Sequence, residues 1–318
     1  MKRLLYLLAF MTGAALAQPF PAKPVKIVIP FPAGGLTDVL GRGLGQELTK
    51  LWDKPVIIEN RPGANTIIAA EYVAKQPADG YTLLMANDPT LSSNQFLYSK
   101  LPYDPVKDFA PVVNLVTTTT VLIATNSLAA NNLPELIELA KKKPGELTYG
   151  TFGLGSATHL DTEAFASSAG IKLTHIPYKG IADVIPAVIS GQIHMALSGM
   201  PPALPHIRSG KLKAIAFAGA QRSTLLPNVP TFAEAGIRDY EARSWFGLVA
   251  PAGTPRAAID KIAADVTKVL GQPDFREKFV TGVGLEPLVQ GPEEYAQFLR
   301  KDREKYAQRV KNANVKLD

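Results

Sequence analysis

The chain has 318 residues, of which 46% are hydrophobic and 19% are charged, and it contains no cysteine. This composition and length predict a globular protein built from two domains of ordinary size. The lack of cysteine excludes thiol catalysis, cysteine-based zinc sites and iron–sulfur clusters, and the scattered basic residues behind the net charge of +6 form no aromatic-basic platform for nucleic acid.

The N-terminal residues have the pattern of a secretory signal peptide. Lys2 and Arg3 are basic, residues 4–16 carry no charge, and Ala15-Leu16-Ala17 is a small-x-small cleavage site. The uncharged run is shorter than the roughly 20 residues that a membrane-spanning helix needs. We therefore expect cleavage after residue 17, so that Gln18 begins an exported mature chain with a charge of +4, which is +6 less two.

Strands and helices alternate from residue 25 onward, which favours an α/β fold with a parallel sheet. The hydrophobic spacing in the first series predicts strands at 25–29, 56–59 and 81–86 and helices at 37–51 and 67–75. The second series predicts strands at 121–124, 147–150, 173–178, 193–198 and 211–218 and helices at 133–142, 156–169 and 182–190. The last segment predicts a strand at 246–251 and helices at 255–270 and 292–312.

The order of these elements predicts a two-lobed fold with two chain crossings, near 116–121 and 241–247. We expect the terminal helices to return to the first lobe, which would then contain residues 18–118 and 245–318, with residues 119–244 forming the second lobe. A double crossing of this kind is a natural hinge.

The segment from Pro30 to Asp38 joins a predicted strand to a predicted helix and is rich in glycine. Gly34 and Gly35 permit close approach of a ligand to the backbone, and a helix start offers free N–H donors to a carboxylate or phosphate. Ligands of open α/β sheets bind at such strand ends. The alternative interpretation is a tight turn that Thr37 caps.

A similar segment, residues 150–159, occurs in the second lobe, where glycines again follow a strand and Gly155 and Ser156 begin a helix. Two such segments, one in each lobe, are expected to face each other across a cleft. Phe31 and Phe152, one in each segment, either form walls of this cleft or lie buried under the loops.

Other motifs argue against catalysis and against a cofactor. Ser156 and His159 are three residues apart, but no Gly-x-Ser-x-Gly elbow is present and a serine at a helix start is more often a cap. The four histidines lack metal-ligand spacing, and neither glycine-rich segment is a nucleotide motif. Asp38 and Arg42 are four apart on a helix, where they are expected to pair. We therefore predict a binding protein without cofactor or metal, and a secreted hydrolase is the alternative enzyme interpretation.

The chain resembles the Bug family, the periplasmic receptors of tripartite tricarboxylate transporters. The resemblance covers essentially the whole mature chain in order and rests on the following segments: Val28-Ile29-Pro30-Phe31-Pro32-Ala33-Gly34-Gly35 with Asp38 and Arg42, Ile58-Glu59-Asn60-Arg61-Pro62-Gly63-Ala64, Pro77-Ala78-Asp79-Gly80-Tyr81-Thr82-Leu83-Leu84, Tyr149-Gly150 with Gly153, Gly155 and Ser156, Pro177-Tyr178-Lys179-Gly180, and Pro251-Ala252-Gly253-Thr254-Pro255.

The resemblance implies a periplasmic protein with a Venus-flytrap fold that closes on a small organic acid and delivers it to membrane subunits. A monomer is expected because a receptor must open and close freely. A ligand-sensing protein that feeds a signalling system is the alternative binding role. By position, the resemblance assigns the following residues to the ligand site: Ala33, Gly34, Gly35, Asn87, Thr90 and Asn94 in the first lobe, and Thr151, Gly155, Ser156, Asp183 and Ser198 in the second.

One segment departs from the family pattern. Where the family commonly has small hydroxyl residues and a histidine, this chain has Asn87, Asp88 and Leu91. An ionised Asp88 in the cleft would repel a ligand carboxylate. Either Asp88 points away from the cleft, or the ligand is not a simple dicarboxylate, in which case aromatic acids and amino-acid-like ligands are the alternatives.

Overall fold

The computed structural model describes residues 20–238, 240 and 242–317, with Thr119 described through its backbone alone. The predicted signal peptide, residues 1–17, lies outside the described residues. Among the helices of the described part, none is long and apolar enough to cross a membrane.

The described residues contain ten strands that form one connected sheet. In chain order they are β1 (Val25–Ile29), β2 (Val56–Asn60), β3 (Thr82–Asn87), β4 (Phe109–Ala124), β5 (Thr148–Thr151), β6 (Thr174–Pro177), β7 (Met195–Gly199), β8 (Lys213–Phe217), β9 (Arg243–Pro251) and β10 (Glu286–Gln290).

The α-helices cover both faces of the sheet, and a π-helical turn, Pro89–Ser93, follows β3. In chain order the helices are α1 (Leu36–Trp52), α2 (Ile67–Ala74), α3 (Asn94–Leu97), α4 (Leu133–Lys142), α5 (Ala157–Ala169), α6 (Ile181–Ile189), α7 (Met200–Arg208), α8 (Arg256–Leu270), α9 (Pro273–Phe279) and α10 (Pro292–Ala313).

Strand β4 is 16 residues long and belongs to both lobes. Its first half pairs with β9 and β10, and its second half pairs with β7 and β8. The first lobe therefore has the strand order β2-β1-β3-β9-β4-β10, and the second has β8-β4-β7-β5-β6. The two-lobed α/β fold with two crossings is confirmed, while the boundaries at 118/119 and 244/245 stay a prediction.

The expectation of a purely parallel sheet is wrong. Strands β1, β2 and β3 are parallel to one another, as are β5, β6 and β7, because helices connect them. Strands β4 and β9 cross between the lobes in opposite directions, so each pairs antiparallel with its neighbours. The result is a mixed sheet in both lobes.

Each lobe has a core on both faces of its sheet, which explains why the central strands are almost continuously apolar. In β1, Ile27 and Ile29 pack into a cluster with α1 and α8, while Val28 packs on the opposite face with α2 and α10. In the second lobe, Leu122 and Val121 of β4 point to opposite clusters in the same way. The sheet is therefore rigidly covered except at its strand ends.

Helix α10 extends beyond the lobe to which we expected it to return. Its N-terminal half does pack in the first lobe, where Tyr295 and Leu299 are buried beside Trp245. Its C-terminal half then contacts α5 of the second lobe, and Tyr306 and Leu160 share one apolar cluster. Helix α10 thus joins the lobes in addition to β4 and β9.

Candidate ligand-binding site

The carboxyl ends of four strands point toward the junction between the lobes. Strand β3 ends at Asn87, which is in register with Phe246 of β9, itself opposite Val116 of β4. Strand β7 ends at Gly199, which is opposite Thr120 of the same β4. Since β1 is parallel to β3 and β5 to β7, the glycine-rich segments that follow β1 and β5 meet this junction from opposite lobes.

The first-lobe segment is open to solvent and tied at its base. Ala33, Gly34 and Gly35 are exposed. Gly34 has a φ of +84°, and a Cβ placed on it would meet no atom within 4 Å. The Gly34 N–H donates to Asp38 Oδ2 at 2.9 Å. This bond fixes the turn and leaves the surface of the loop accessible.

The carboxylate of Asp38 is held by several donors. Arg42 Nε donates to Asp38 Oδ2 at 2.9 Å, which confirms the predicted pair, and Asn60 Nδ2 donates to Oδ1 at 2.9 Å. Burial opposes ionisation, but the hydrogen bonds from Arg42, Gly34 and Asn60 lower the pKa of Asp38 below its usual value. Asp38 is therefore an ionised structural anchor beneath the loop.

Helix α1 begins without a side-chain cap. Gly35 occupies the N-cap position and no side chain accepts a hydrogen bond from the first turn, so the interpretation of Thr37 as the cap is wrong. The first hydrogen bond of the helix runs from Val39 N–H to Gly35 O, and the preceding N–H groups have no partner inside the helix. These donors, with the positive end of the helix dipole, suit an anionic ligand.

The two phenylalanines of the glycine-rich segments differ in burial. Phe31 is half-buried and packs edge-on against Phe246, with ring centroids 6.3 Å apart. Phe152 is 38% exposed, so burial under the loop is wrong for this residue. Phe31 therefore stands beside the hinge strand β9, and Phe152 lies on the surface of its loop.

Asn87, Thr90 and Asn94 form a buried polar network within the first lobe. Thr90 Oγ1 donates to Asn87 Oδ1 at 2.6 Å and also lies 2.9 Å from Thr66 Oγ1. Asn94 exchanges two hydrogen bonds of 2.8 Å with Asn65. The network holds the π-helical turn after β3, so these side chains lie inside the first lobe rather than facing solvent.

Asp88 is fully buried against α10. Tyr306 O–H donates to Asp88 Oδ2 at 3.1 Å. Burial, followed by the negative charges of Asp302 and Asp161, raises the pKa of Asp88 to about 7. The sequence left open whether Asp88 points away from the cleft or the ligand is not a simple dicarboxylate. The structure supports the first alternative, because Asp88 points away from the exposed loops.

The donors of the second-lobe segment are engaged within the lobe. Ser156 caps α5 by accepting from His159 N–H at 3.3 Å, as predicted for a helix-start serine, and its hydroxyl donates to Gly153 O at 2.7 Å. The Gly155 N–H donates to His159 Nδ1 at 3.1 Å. Thr151 Oγ1 lies 2.6 Å from His175 Nε2.

His159 and His175 stack with ring centroids 4.1 Å apart. Burial lowers the pKa of both to about 4, and the neighbouring His159 ring adds to the shift of His175. Both rings are neutral at pH 7. His159 Nδ1 is occupied by the Gly155 N–H, so no side-chain hydrogen bond between Ser156 and His159 supports a nucleophile and its base.

The remaining predicted residues occupy different environments. Ser198 is buried at the end of β7, where its hydroxyl donates to Gly199 O at 3.0 Å and its backbone pairs with Val121. Asp183 is exposed in the first turn of α6. Ser198 thus lies at the junction, whereas Asp183 lies on the exposed surface of α6 in the second lobe.

Sequence reasoning missed the contacts that join α10 to the second lobe. Arg309 of α10 forms a buried ion pair with Asp161 of α5. The two residues are 148 positions apart, and neither belongs to a local motif. The hydrophobic spacing predicted a helix at 292–312 but could not identify the lobe that its buried side chains contact.

Two α/β lobes, joined by antiparallel hinge strands with glycine-rich strand ends at their junction, define the fold of periplasmic solute-binding proteins. A model of the tripartite tricarboxylate transporter family receptor matches residues 40–315. The chain belongs to this family, whose members are receptors and therefore binding proteins.

Individual relatives are similar along nearly their whole length. Protein BugT of Bordetella pertussis is 34% identical over a 324-residue alignment that covers all of this chain and 99% of BugT. An adipate-bound structure from R. palustris has a TM-score of 0.85 at 34% identity, covering 93% of this chain and 99% of its own. The malate-bound MatC of Rhodopseudomonas palustris has a TM-score of 0.80 at 31% identity, covering 92% and 100%.

Proposed function

We propose that this protein is a periplasmic receptor that captures a small organic carboxylate between its lobes and delivers it to the membrane subunits of a tripartite tricarboxylate transporter. The observation that carries the proposal is the uncapped start of α1, which follows an exposed glycine-rich loop at the lobe junction. Family membership and the adipate and malate in related structures agree with this chemistry.

One ligand carboxylate would lie at the start of α1 beside Ala33, Gly34 and Gly35. Backbone donors lose their hydration when the ligand binds but gain charge-assisted hydrogen bonds to the anion. The dipole of α1 adds a favourable field. Asp38, although negative, is neutralised by Arg42 beneath the loop, so its charge is compensated locally.

The other end of the ligand would meet the second lobe at Thr151, Gly155, Ser156, Asp183 and Ser198. In this conformation the hydroxyls of Thr151 and Ser156 and the N–H of Gly155 have hydrogen-bond partners within the second lobe. A ligand would exchange some of these internal bonds for its own as the lobes close. Contacts made only in the closed state let binding drive closure.

The ligand class that we favour is a linear aliphatic dicarboxylate. Asp88 was the residue that argued against a second carboxylate in the cleft, and its side chain is buried against Tyr306 instead. The two closely related structures hold adipate and malate, which are both dicarboxylates. Aromatic carboxylates and amino acids become the comparison ligands of the test.

Closure would be a rotation of residues 119–244 against residues 18–118 and 245–318, and the contacts of α10 with α5 would limit its extent. The two hinge strands pair with each other from Thr119–Arg243 to Phe109–Pro251, so bending is expected just beyond this ladder, near residues 120–121 and 242. A single chain supplies both lobes and the hinge, and we propose that the receptor works as a monomer.

The test is a thermal-shift and calorimetric screen of the mature protein after it has been unfolded, dialysed and refolded to remove bound solutes. The panel contains adipate, malate, succinate, citrate, benzoate, aspartate and glucose. A ligand present at about one hundred times its Kd should stabilise the protein by roughly 2.7 kcal/mol. Stabilisation by one group of carboxylates is the expected result, and stabilisation by glucose alone, or by no acid, would contradict the proposal.

A further inference from the structure

The C-terminal residues turn back toward the lobe junction after α10 ends. Asn314 terminates the helix in a left-handed conformation with φ of 51°, and Val315 is then buried in the cluster that contains Leu160. The Leu317 N–H donates to Leu97 O at 2.7 Å. The tail is thus fixed to α3 of the first lobe by a backbone hydrogen bond.

The same Leu317 contacts the glycine-rich segment of the second lobe. A Cβ placed on Gly155 would lie 2.6 Å from Leu317 Cδ1 and 3.3 Å from Leu97 Cδ1. Gly155 has a φ of +73°, so both the conformation and the close approach require glycine here. At this point the second-lobe loop, the first lobe and the C-terminal tail meet.

The tail is anchored in both lobes just before this contact. Arg309 pairs with Asp161 of α5, and Tyr306 donates to Asp88 of the first lobe. These side chains are buried, so the C-terminal half of α10 cannot move far without breaking them. The position of Leu317 is therefore defined by both lobes rather than by the tail alone.

Two side chains of the second-lobe loop are partly exposed. Phe152 is 38% exposed and Leu154 is 51% exposed, so neither side chain is fully buried against the rest of the lobe. Gly153 has a φ of +117°, and a Cβ placed on it would lie 3.9 Å from Tyr178 O. Internal hydrogen bonds shape residues 151–156, but the apolar contact from outside the lobe falls on Gly155.

We propose that Leu317 is a positioning residue for the second-lobe ligand loop: the C-terminal tail holds Gly155 against Leu97 and so fixes the orientation of residues 152–156 toward the first lobe. The proposal rests on the proposed function, in which this loop receives one end of the ligand. Its structural part, the restraint of the loop by the tail, is measurable without any ligand.

The experiment compares three variants of the mature protein. Leu317→Ser removes the apolar contact, Leu317→Met keeps it, and Lys316→Ala changes the exposed neighbour as a matched control. Hydrogen exchange followed by mass spectrometry is expected to show about tenfold faster exchange of the amides of residues 152–157 in Leu317→Ser. Exchange at residues 33–39 should be unchanged, and Leu317→Met and Lys316→Ala should match the parent protein.

Calorimetric titration with adipate supplies the second readout. Leu317→Ser is expected to bind adipate about tenfold more weakly, which is about 1.4 kcal/mol, while Lys316→Ala binds normally. Unchanged exchange at residues 152–157 in Leu317→Ser overturns the proposal, as does uniformly faster exchange throughout the protein, which would indicate lost global stability. If the parent protein fails to bind adipate, adipate is not a ligand of the proposed receptor. The exchange data alone then decide the role of Leu317.

Discussion

Tyr306 donates a hydrogen bond of 3.1 Å to Asp88, and this bond joins the residue that follows β3 to the helix that crosses toward the second lobe. Asp88 Oδ1 has no hydrogen-bond partner among the described residues. Burial and the charge of Asp88 raise the pKa of Tyr306 well above its usual value, so Tyr306 remains a donor. A protonated Asp88 satisfies this environment better than an ionised one.

The pKa of Asp88, raised to about 7, predicts how stability depends on pH. Between its usual value of 3.8 and about 7, the folded protein holds a proton that the unfolded chain releases, so stability falls as pH rises, by up to about 1.4 kcal/mol per pH unit. Asp88→Asn removes this contribution while keeping an acceptor for Tyr306. Urea unfolding between pH 5 and pH 8 should therefore show the variant gaining stability relative to the parent protein up to about pH 7, with no further gain above it.

The comparison of Asp88→Asn with the parent protein over this pH range also provides an internal control. His159 and His175 act equally in both proteins, so the difference between the two curves reports the titration of Asp88 together with its coupling to Asp161. A difference that is constant with pH would show that Asp88 is ionised in the folded state and would remove the argument for its protonation.

The ion pair of Arg309 with Asp161 is expected to be among the costliest interactions to break. Both residues are buried, and removal of Arg309 leaves the buried Asp161 carboxylate without its ion-pair partner. Arg309→Met should lower the free energy of unfolding by about 3–5 kcal/mol. The double variant Arg309→Met with Asp161→Leu should recover a large part of this loss, because it leaves no buried charge from the pair.

The matched control for these Arg309 and Asp161 variants is Arg256→Met. Arg256 is paired with Asp260 and Glu293 on the surface, where an ion pair contributes about 0–1 kcal/mol. Urea unfolding of the parent protein and these variants measures all of these effects. Equal losses for Arg309→Met and Arg256→Met would mean that the link between α10 and α5 contributes no more than a surface pair.

Local sequence signals defined the elements on both sides of the site. The strand predicted at 25–29 has the bounds of β1, and the helix predicted at 133–142 has those of α4, because Pro134 in the first turn marks its start. Helices α1, α8 and α10 were recognised from the spacing of their buried residues. Amphipathic periodicity and capping chemistry are local properties, so the sequence displays them directly.

Other elements were missed because the sequence signal is ambiguous or non-local. Strand β4 starts at Phe109, whereas the prediction began at residue 121, because Asn114 and the threonines at 117–120 interrupt the apolar pattern where the strand crosses the junction. No helix was predicted at α7, which contains Pro201, Pro202 and Pro205. The first two prolines occupy the first turn, where no N–H is needed.

The candidate site was predictable only in part. Glycines after a strand indicated the exposed loop at Gly34, and Ser156 was interpreted as a cap, which the structure confirms. The burial of Asp88 could not be predicted, since its partner Tyr306 lies 218 residues away. Side-chain direction at a strand end depends on the helices packed over it, and such tertiary contacts have no local signature.

Ser156 caps α5, and comparison with a matched control can separate this structural role from a role in ligand binding. Ser156→Ala removes the cap of α5 and should lower stability by about 1 kcal/mol. Asn132→Ala is the matched control, because Asn132 caps α4 of the same lobe by accepting from Glu135 N–H at 2.9 Å. Both variants should lose similar stability in urea, while adipate affinity falls only in Ser156→Ala. Equal affinities in the two variants would exclude Ser156 from the ligand site.

Gly34→Val tests the first-lobe loop directly. Gly34 has a φ of +84° and open space around it, so a valine introduces backbone strain on the order of 1–3 kcal/mol and covers the start of α1. Gly145→Val is a control of the same kind, since Gly145 has a φ of +81° and open space but precedes β5 at the end away from the junction. Both variants should remain folded with similar losses in thermal unfolding. Gly34→Val should bind adipate at least about a hundredfold more weakly, which is about 2.8 kcal/mol, whereas Gly145→Val should bind it normally. Normal affinity in a folded Gly34→Val would show that the ligand does not use this loop.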